Sequence, residues 1–433
     1  MSQYRAYPAY KDSGVEWIGQ VPEHWKVARV KRLASLRNER RNDVSTDTIY
    51  IGLEDVEAGS GQYKPTNGSS RQSEDSTVGI FYEGDVLYGK LRPYLRKAII
   101  SEMAGCCSTE FLVLRAEKTE PRWLQEWLLT PDVTHQIESG CEGAKMPRAD
   151  WGHIGSIEVV YPDQPEQAKI LTSLDRETAR IDALIEKKTR FIELLKEKRQ
   201  ALITHAVTKG LDRNAKMKDS GIEWIGQVPE EWLNRKVFHA FQAIGSGTTP
   251  PAKEHEWYQG GTIPWITTSE LRENTVVKTK KCVTSDAMQK FSALKIFPAG
   301  SLAIAMYGAT IGRLGFLGIP ATTNQACCVL SGERDLNIQF LYYWLMAFRA
   351  DIVAFFSEGG GQPNINQEVI ASLRVPSPAP DEQATIVATL DRETARIDAL
   401  ISKAEQSITL LKERRAAFIT AAVTGQIDLR GKQ

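Results

Sequence analysis

The chain has 433 residues, 42% of them hydrophobic, a mean hydropathy of −0.32, and 54 Lys plus Arg against 54 Asp plus Glu. That length calls for two or three domains with real cores, and no apolar run approaches the ~20 residues of a membrane-spanning helix. The zero balance argues against a protein held on a polyanion by bulk charge, leaving only a local basic patch or cations from partners. The opening MSQYRAYPAYKDSG has no apolar stretch of the secretory kind. Six cysteines without CxxC spacing, two pairs of them adjacent (Cys106-Cys107 and Cys327-Cys328), read as reduced, buried thiols of a cytoplasmic protein.

Residues 1–25 form an N-terminal segment that closes with KDSGVEWIGQVPEHW (11–25). Residues 26–161 are expected to make a mixed α/β globule, with strands near Phe111–Leu114 and Ile157–Tyr161 and a helix near Arg122–Ser139. Trp123-Leu124 and Trp127-Leu128 recur at helical spacing and belong to its core. GDVLYGKLRPYLRK (84–97) interleaves Lys90, Arg92, Arg96 and Lys97 with Tyr88 and Tyr94. Such a mixture suits phosphate contacts and base-edge hydrogen bonds in a groove, although an ordinary solvated hairpin reads the same way. Lys145 and Arg148, in GAKMPRAD (143–150), extend the candidate set.

Residues 162–210 predict a long helix. Leu171, Thr178, Ile185, Ile192, Arg199 and Ala206 recur every seven positions, with Leu174, Ile181, Lys188, Leu195 and Leu202 three places later. Residues 211–232 lead to a second globule, 233–377, with a strand at Leu302–Met306 and an apolar helix at Ile338–Phe356. Phe340-Leu341 and Trp344-Leu345 match the tryptophan pairs of the first globule. Five polar, Gly-rich turns stand out: GSGTTPP (245–251), TTSE (267–270), YGATIGR (307–313), TTNQ (322–325) and GGGQPNIN (359–366). Asn and Gln pair with adenine and Arg with guanine. The candidate readers are therefore Ser246, Thr248, Thr249, Thr267, Ser269, Tyr307, Arg313, Asn324, Gln325, Gln362, Asn364 and Asn366. Residues 378–433 hold a second long helix and a tail, with Val387, Thr394, Ile401, Ile408, Arg415 and Ala422 beside Leu390, Ile397, Ala404, Leu411 and Phe418. Asp163 and Asp381 are the expected N-caps. The charged faces Asp182–Arg190 and Lys196–Arg199 read as solvated, or as docked on another subunit.

The chain repeats itself. KDSGVEWIGQVPEHW returns as KDSGIEWIGQVPEEW (218–232), 207 positions on. EQAKILTSLDRETARIDALI (166–185) returns as EQATIVATLDRETARIDALI (382–401), 216 positions on. Near-identical frames around unlike centres are what a two-part reader needs, whereas a tandem duplication without consequence would let frames and centres drift alike. One heptad seam per helix, twice in one chain, predicts an antiparallel pair of helices of ~40 residues, each roughly 60 Å long at 1.5 Å per residue. A coiled coil joining two chains uses the same pattern.

Catalytic signatures are missing. Gly84-x4-Gly89-Lys90 has Leu91 where a phosphate-binding loop needs Ser or Thr, and Pro93 interrupts the helix that should follow. The six histidines (24, 135, 153, 205, 239 and 255) show no metal-ligand spacing. No dinucleotide fingerprint, nucleophile elbow or Asn-Pro-Pro-aromatic segment occurs.

Taken together, EWIGQVPEHW and EWIGQVPEEW, GDVLYGKLRPYLRK, the GGGQPNINQEVI turn before IASLRVPSP and the paired LDRETARIDALI helices resemble the specificity subunits of type I restriction-modification systems. The resemblance covers nearly the whole length. It departs where GAKMPRAD stands in place of GGQPNINQ, which blurs which side chains of the first globule meet DNA. It implies two α/β target-recognition globules joined by two long helices packed as an antiparallel coiled coil, with internal pseudo-twofold symmetry. It further implies that each globule reads half of a bipartite, asymmetric site on double-stranded DNA, while the helices set the spacer and dock two methyltransferase subunits and, through them, two restriction/translocase subunits. S-adenosylmethionine, ATP and Mg are then expected on those partners, with no cofactor, no metal and no catalysis on this chain. A coiled-coil scaffold without DNA binding is the alternative.

Overall fold

The computed structural model describes residues 5–45, 47–65, 76–141, 143, 145–357 and 364–431. The chain divides into two compact units: residues 1–189 with 405–433, and residues 190–404.

In the first unit, Lys26–Arg29 and Glu158–Tyr161 pair antiparallel, so the chain enters and leaves the globule side by side. Two sheets lie between them. One runs Ala34–Leu36, Phe111–Ala116, Val86–Gly89, Ala98–Ile100; the other runs Arg40–Arg41, Val78–Phe81, Gly105–Cys107, Tyr50–Ile51. Val86, Tyr88, Leu114, Trp127, Leu128, Ile137 and Ile154 form a core between sheet and helices. In the second unit, Leu233–Lys236 and Arg374–Ser377 pair in the same way. They enclose a sheet in the order Phe241–Ser246, Cys327–Glu333, Leu302–Ala305, Leu314–Leu317, Asn274–Val276, and another in the order Lys281–Val283, Ile263–Ile266, Thr322–Thr323. Leu302–Ala305 is buried along its whole length, which is why it reads as an unbroken apolar run. The expected class, two mixed α/β globules with two long helices, is the one observed.

The long helices are α1 (Gln164–Lys209) and α2 (Pro380–Val423). Every heptad position named above is buried or half-buried. In the first unit, Ile170, Leu171 and Leu174 pack with Phe418, Ile419 and Ala421–Val423, and Asp182 meets Arg415 at 3.0 Å, so the segments run antiparallel. In the second unit, Ile203, Ala206 and Val207 pack with Ile386, Val387 and Leu390, and Arg199 meets Asp398 at 3.0 Å. The arginines that interrupt the apolar heptads thus have a purpose: each crosses to an aspartate on the opposite helix and fixes register there. Asp182 and Arg199 are therefore engaged between helices, not merely solvated as expected.

Three local expectations are corrected. The helix expected near Arg122–Ser139 is two, Pro121–Leu128 and Pro131–Ser139, because Pro131 has no N–H to donate and holds Thr130 extended (φ −68°, ψ 144°). The helix expected at Ile338–Phe356 breaks at Phe348 into Ile338–Ala347 and Arg349–Phe356. Phe348 packs on Trp224 and Trp344 there, while the Arg349 guanidinium donates to the Ile311 carbonyl and pairs with Glu273. Asp163 does cap α1, accepting from the Glu166 N–H at 3.0 Å, but Asp381 lies inside α2, which starts at Pro380. Proline is preorganised for the first helical position.

All six cysteines are free, and four are buried. Burial pushes the Cys107 and Cys328 thiols up to about 12, so both stay protonated and unreactive. Among the described residues no helix is long and apolar enough to cross a membrane.

Candidate nucleic-acid interface

In the first globule, Val86–Gly89 delivers Lys90 to a loop tied down from both sides. The Lys90 N–H donates to the Glu110 carbonyl, the Arg92 N–H donates to the Pro147 carbonyl, and Leu91 bridges Arg148. The side chains divide sharply. The Lys97 ammonium donates to the Leu53 carbonyl at 2.6 Å, and the Arg96 guanidinium to the Leu129 carbonyl at 3.4 Å. Arg148 makes a two-pronged pair with Glu110 at 3.2 and 3.1 Å. Arg92 and Tyr94 stay exposed, and among the described residues the Arg92 guanidinium has no partner. Lys145 is exposed in the neighbouring loop.

In the second globule the turns converge. Thr322–Thr323 runs parallel to Ile263–Ile266, so TTNQ and TTSE emerge at the same sheet edge. The Gly247 N–H donates to the Thr323 hydroxyl at 3.0 Å, and the Thr249 hydroxyl donates to Gln325 Oε1 at 2.5 Å, which brings in the turn after Ser246. Thr267 and Ser269 share a hydroxyl contact at 2.9 Å. Thr248 holds the Trp265 indole through its carbonyl. Asn324 Oδ1 is buried with no donor among the described residues. Met306 joins the fourth turn, donating to the Ala326 carbonyl and accepting from the Ile365 N–H, so Tyr307, Arg313 and Asn364 lie beside the others. Asn366 is occupied as a helix cap, accepting from the Val369 N–H at 2.8 Å. Gln362 lies outside the described residues.

The two sites correspond residue by residue. Leu91 bridges Arg148, and Tyr307 bridges Asn364, each 216 positions on. Ala149 N–H donates to the Lys90 carbonyl as Ile365 N–H does to Met306, and Asp150 caps the following helix as Asn366 does. Within GAKMPRAD, Arg148, Ala149 and Asp150 thus stand on the frame positions of Asn364, Ile365 and Asn366. Arg92 and Arg96 have left-handed backbones (φ 54° and 48°), and their counterparts are Gly308 and Gly312 (φ 65° and 71°). A side chain in that conformation costs roughly 1–2 kcal/mol. The first globule bears this cost twice to carry arginines on its loop.

Two basic stretches escaped the sequence reading: Arg40-Arg41 within RNERRND (37–43), and KTKK (278–281). Their signal, consecutive cations on a short polar connection, is easily passed over as a solvated face. Arg41–Asn42 ends at the same sheet edge as Ser108, since Arg41 lies opposite Val78 and Gly79 opposite Cys107. Among the described residues no His, Cys, Asp and Glu side chains group so as to hold a metal ion.

A duplicated α/β frame presents unlike polar turns, and comparison with known proteins shows what it resembles. Residues 229–410 match the type I restriction modification DNA specificity domain. The chain is 25% identical over 247 residues to the specificity subunit of the Escherichia coli type I restriction enzyme EcoR124I/EcoR124II, and 29% identical over 170 residues to that of MjaIX from Methanocaldococcus jannaschii. These matches take in 54% and 38% of this chain and span 55% and 38% of those relatives. In fold, it is similar to a chain from a structural study of assembly and conformational transition in a type I restriction-modification system, with a TM-score of 0.68 at 19% identity, covering 93% of this chain and 98% of the other. In part of its sequence, and in fold over nearly its whole length, the chain is thus similar to proteins of type I restriction-modification systems.

Proposed function

We propose that this chain reads DNA sequence for a type I restriction-modification complex and performs no chemistry itself. The observation that carries the reading is the correspondence of the two sites: one backbone frame, with Arg92 and Arg148 on one copy and Gly308 and Asn364 on the other. Different side chains on equal backbones are what a subunit needs to recognise two unlike half-sites of one bipartite sequence. The helices set the spacer between half-sites and dock two methyltransferase subunits, which bring two restriction/translocase subunits. S-adenosylmethionine, ATP and Mg bind those partners, in the cytoplasm. The test is to purify the chain with its methyltransferase partner and map methylation on random DNA. A split, asymmetric site is expected; methylation without sequence preference, or none, would overturn the reading.

Within that reading, the loop side chains separate by their partners. Arg92→Ala should weaken binding to the first half-site by about 1–3 kcal/mol if a two-pronged guanine contact is lost. Arg96→Ala should instead lower thermal stability and leave sequence preference alone, because Arg96 is committed to the Leu129 carbonyl. Titration against duplexes altered only in the first half distinguishes them. An equal loss on every sequence would assign Arg92 to phosphate, and no loss would remove it from the interface.

A further inference from the structure

The zero net charge leaves open what holds the DNA backbone. In the second globule Lys281–Val283 pairs antiparallel with Ile263–Ile266, and Lys281 lies opposite Trp265. The strand therefore begins at the edge where Ile263–Ile266 ends and TTSE begins. Thr322–Thr323, with Thr322 also opposite Trp265, delivers Asn324 and Gln325 to that edge from the other side. The Lys280 N–H donates to Glu270 Oε1 at 2.8 Å, and Glu270 also accepts from the Thr267 N–H at 2.8 Å. One carboxylate thus clamps the backbone of the lysine tract to the backbone of the reading turn.

The side chains are left over. Lys278, Lys280 and Lys281 are exposed, and among the described residues none forms an ion pair. Lys281 Nζ lies 5.5 Å over the Tyr258 ring, whose hydroxyl donates to the Pro250 carbonyl of the first turn. Three ammonium groups within four residues repel one another and favour an anionic partner. A duplex presents a row of phosphates beside any base edge that the turns touch.

We infer that Lys278, Lys280 and Lys281 are the phosphate contact of the second globule, an anchor placed beside its base-reading turns. The inference rests on the DNA-reading function proposed above. It also means that this chain supplies part of its own backbone grip, with compensating acids elsewhere in its sequence.

The test uses the full chain in complex with its methyltransferase partner, with Lys278→Ala, Lys280→Ala and Lys281→Ala combined. Affinity is measured from about 50 to 200 mM salt on a duplex carrying the mapped site and on a scrambled duplex. The triple variant should bind both duplexes more weakly and keep the ratio between them. Its plot of log affinity against log salt should be shallower by up to about 2.7, from about 0.9 per lysine. Arginine at all three positions should restore the slope, which a merely structural role would not require. An unchanged slope, beside a wild type that discriminates between the duplexes, would overturn the inference and leave the function standing. A changed ratio at unchanged slope would also overturn it, by making the lysines base readers. A wild-type complex that fails to discriminate would overturn both.

Discussion

Exchanging residues 26–161 for the matching globule of a relative should yield a chain whose site is new in its first half and unchanged in its second. The entry and exit strands make this feasible. Lys26–Arg29 and Glu158–Tyr161 pair along their length, and the Val30 N–H donates to the Ile157 carbonyl, so the globule hangs from two adjacent chain positions. The frame below it is held by other contacts, Trp25 against Ile170, Leu171, Phe418 and Ile419. Several contacts bridge the two: the Thr119 hydroxyl and the Glu120 N–H both donate to Gln167 Oε1 at 3.0 Å, Arg122 pairs with Asp175 at 3.6 Å, and Trp123 packs edge-on against Trp25, with ring centres 5.7 Å apart. A donor globule must therefore supply an aromatic ring at that point, or the graft leaves a cavity costing about 3–5 kcal/mol. Methylation mapping reads the outcome. A hybrid that folds, binds its partners and still selects the original sequence would show that the globule does not read.

Gly247→Ala should have the largest effect of any single methyl group added to the reading surface. A Cβ there would sit 1.8 Å from the Thr323 carbonyl oxygen and 2.7 Å from its carbon, both backbone atoms that cannot swing aside. The turn must move, and the Gly247 N–H to Thr323 hydroxyl bond breaks with it. Overpacking of this kind costs about 1–3 kcal/mol, and a displaced turn loses the second half-site while the first is still recognised. Gly245→Ala is the control, since its Cβ would meet only the Phe297 ring at 3.5 Å. Thermal melting and half-site titration should separate the two variants. Equal behaviour would mean that the turn after Ser246 is free to adapt.

The frame was legible because it obeys short-range rules. Leu171 to Ala206 keep a heptad and become a seam; Leu302–Ala305 is apolar throughout and becomes a buried strand. Helix breaks were less legible. Pro131 marks one that the expected single helix passed over, and at Phe348 the break goes with its packing on Trp224 and with the Arg349–Glu273 pair, which no local pattern encodes. Composition pointed to the polar turns, yet not to their grouping, which depends on pairings such as Trp265 with Thr322 across more than fifty residues. Spacing could not tell Arg92 from Arg96, because the carbonyl that occupies Arg96 belongs to Leu129, in another part of the chain. The lysine tract was legible as charge but not as position; only strand register puts Lys281 opposite Trp265, two residues before Thr267.

The division into units also sets an order of events during synthesis. The unit of residues 190–404 is continuous in sequence and can close as soon as it is made. The unit of residues 1–189 and 405–433 cannot, since it lacks Phe418, Ile419 and the final turn of α2 until those residues follow residue 404. Asp182 waits for Arg415, 233 positions away. At about 5–20 residues per second that is a delay of roughly ten to fifty seconds. During that time the apolar seam of α1 is exposed on the nascent chain, and the segment DRETARIDALI on a neighbouring ribosome's product offers the same pattern. Mispairing between chains of one polysome is the expected hazard of such a delay.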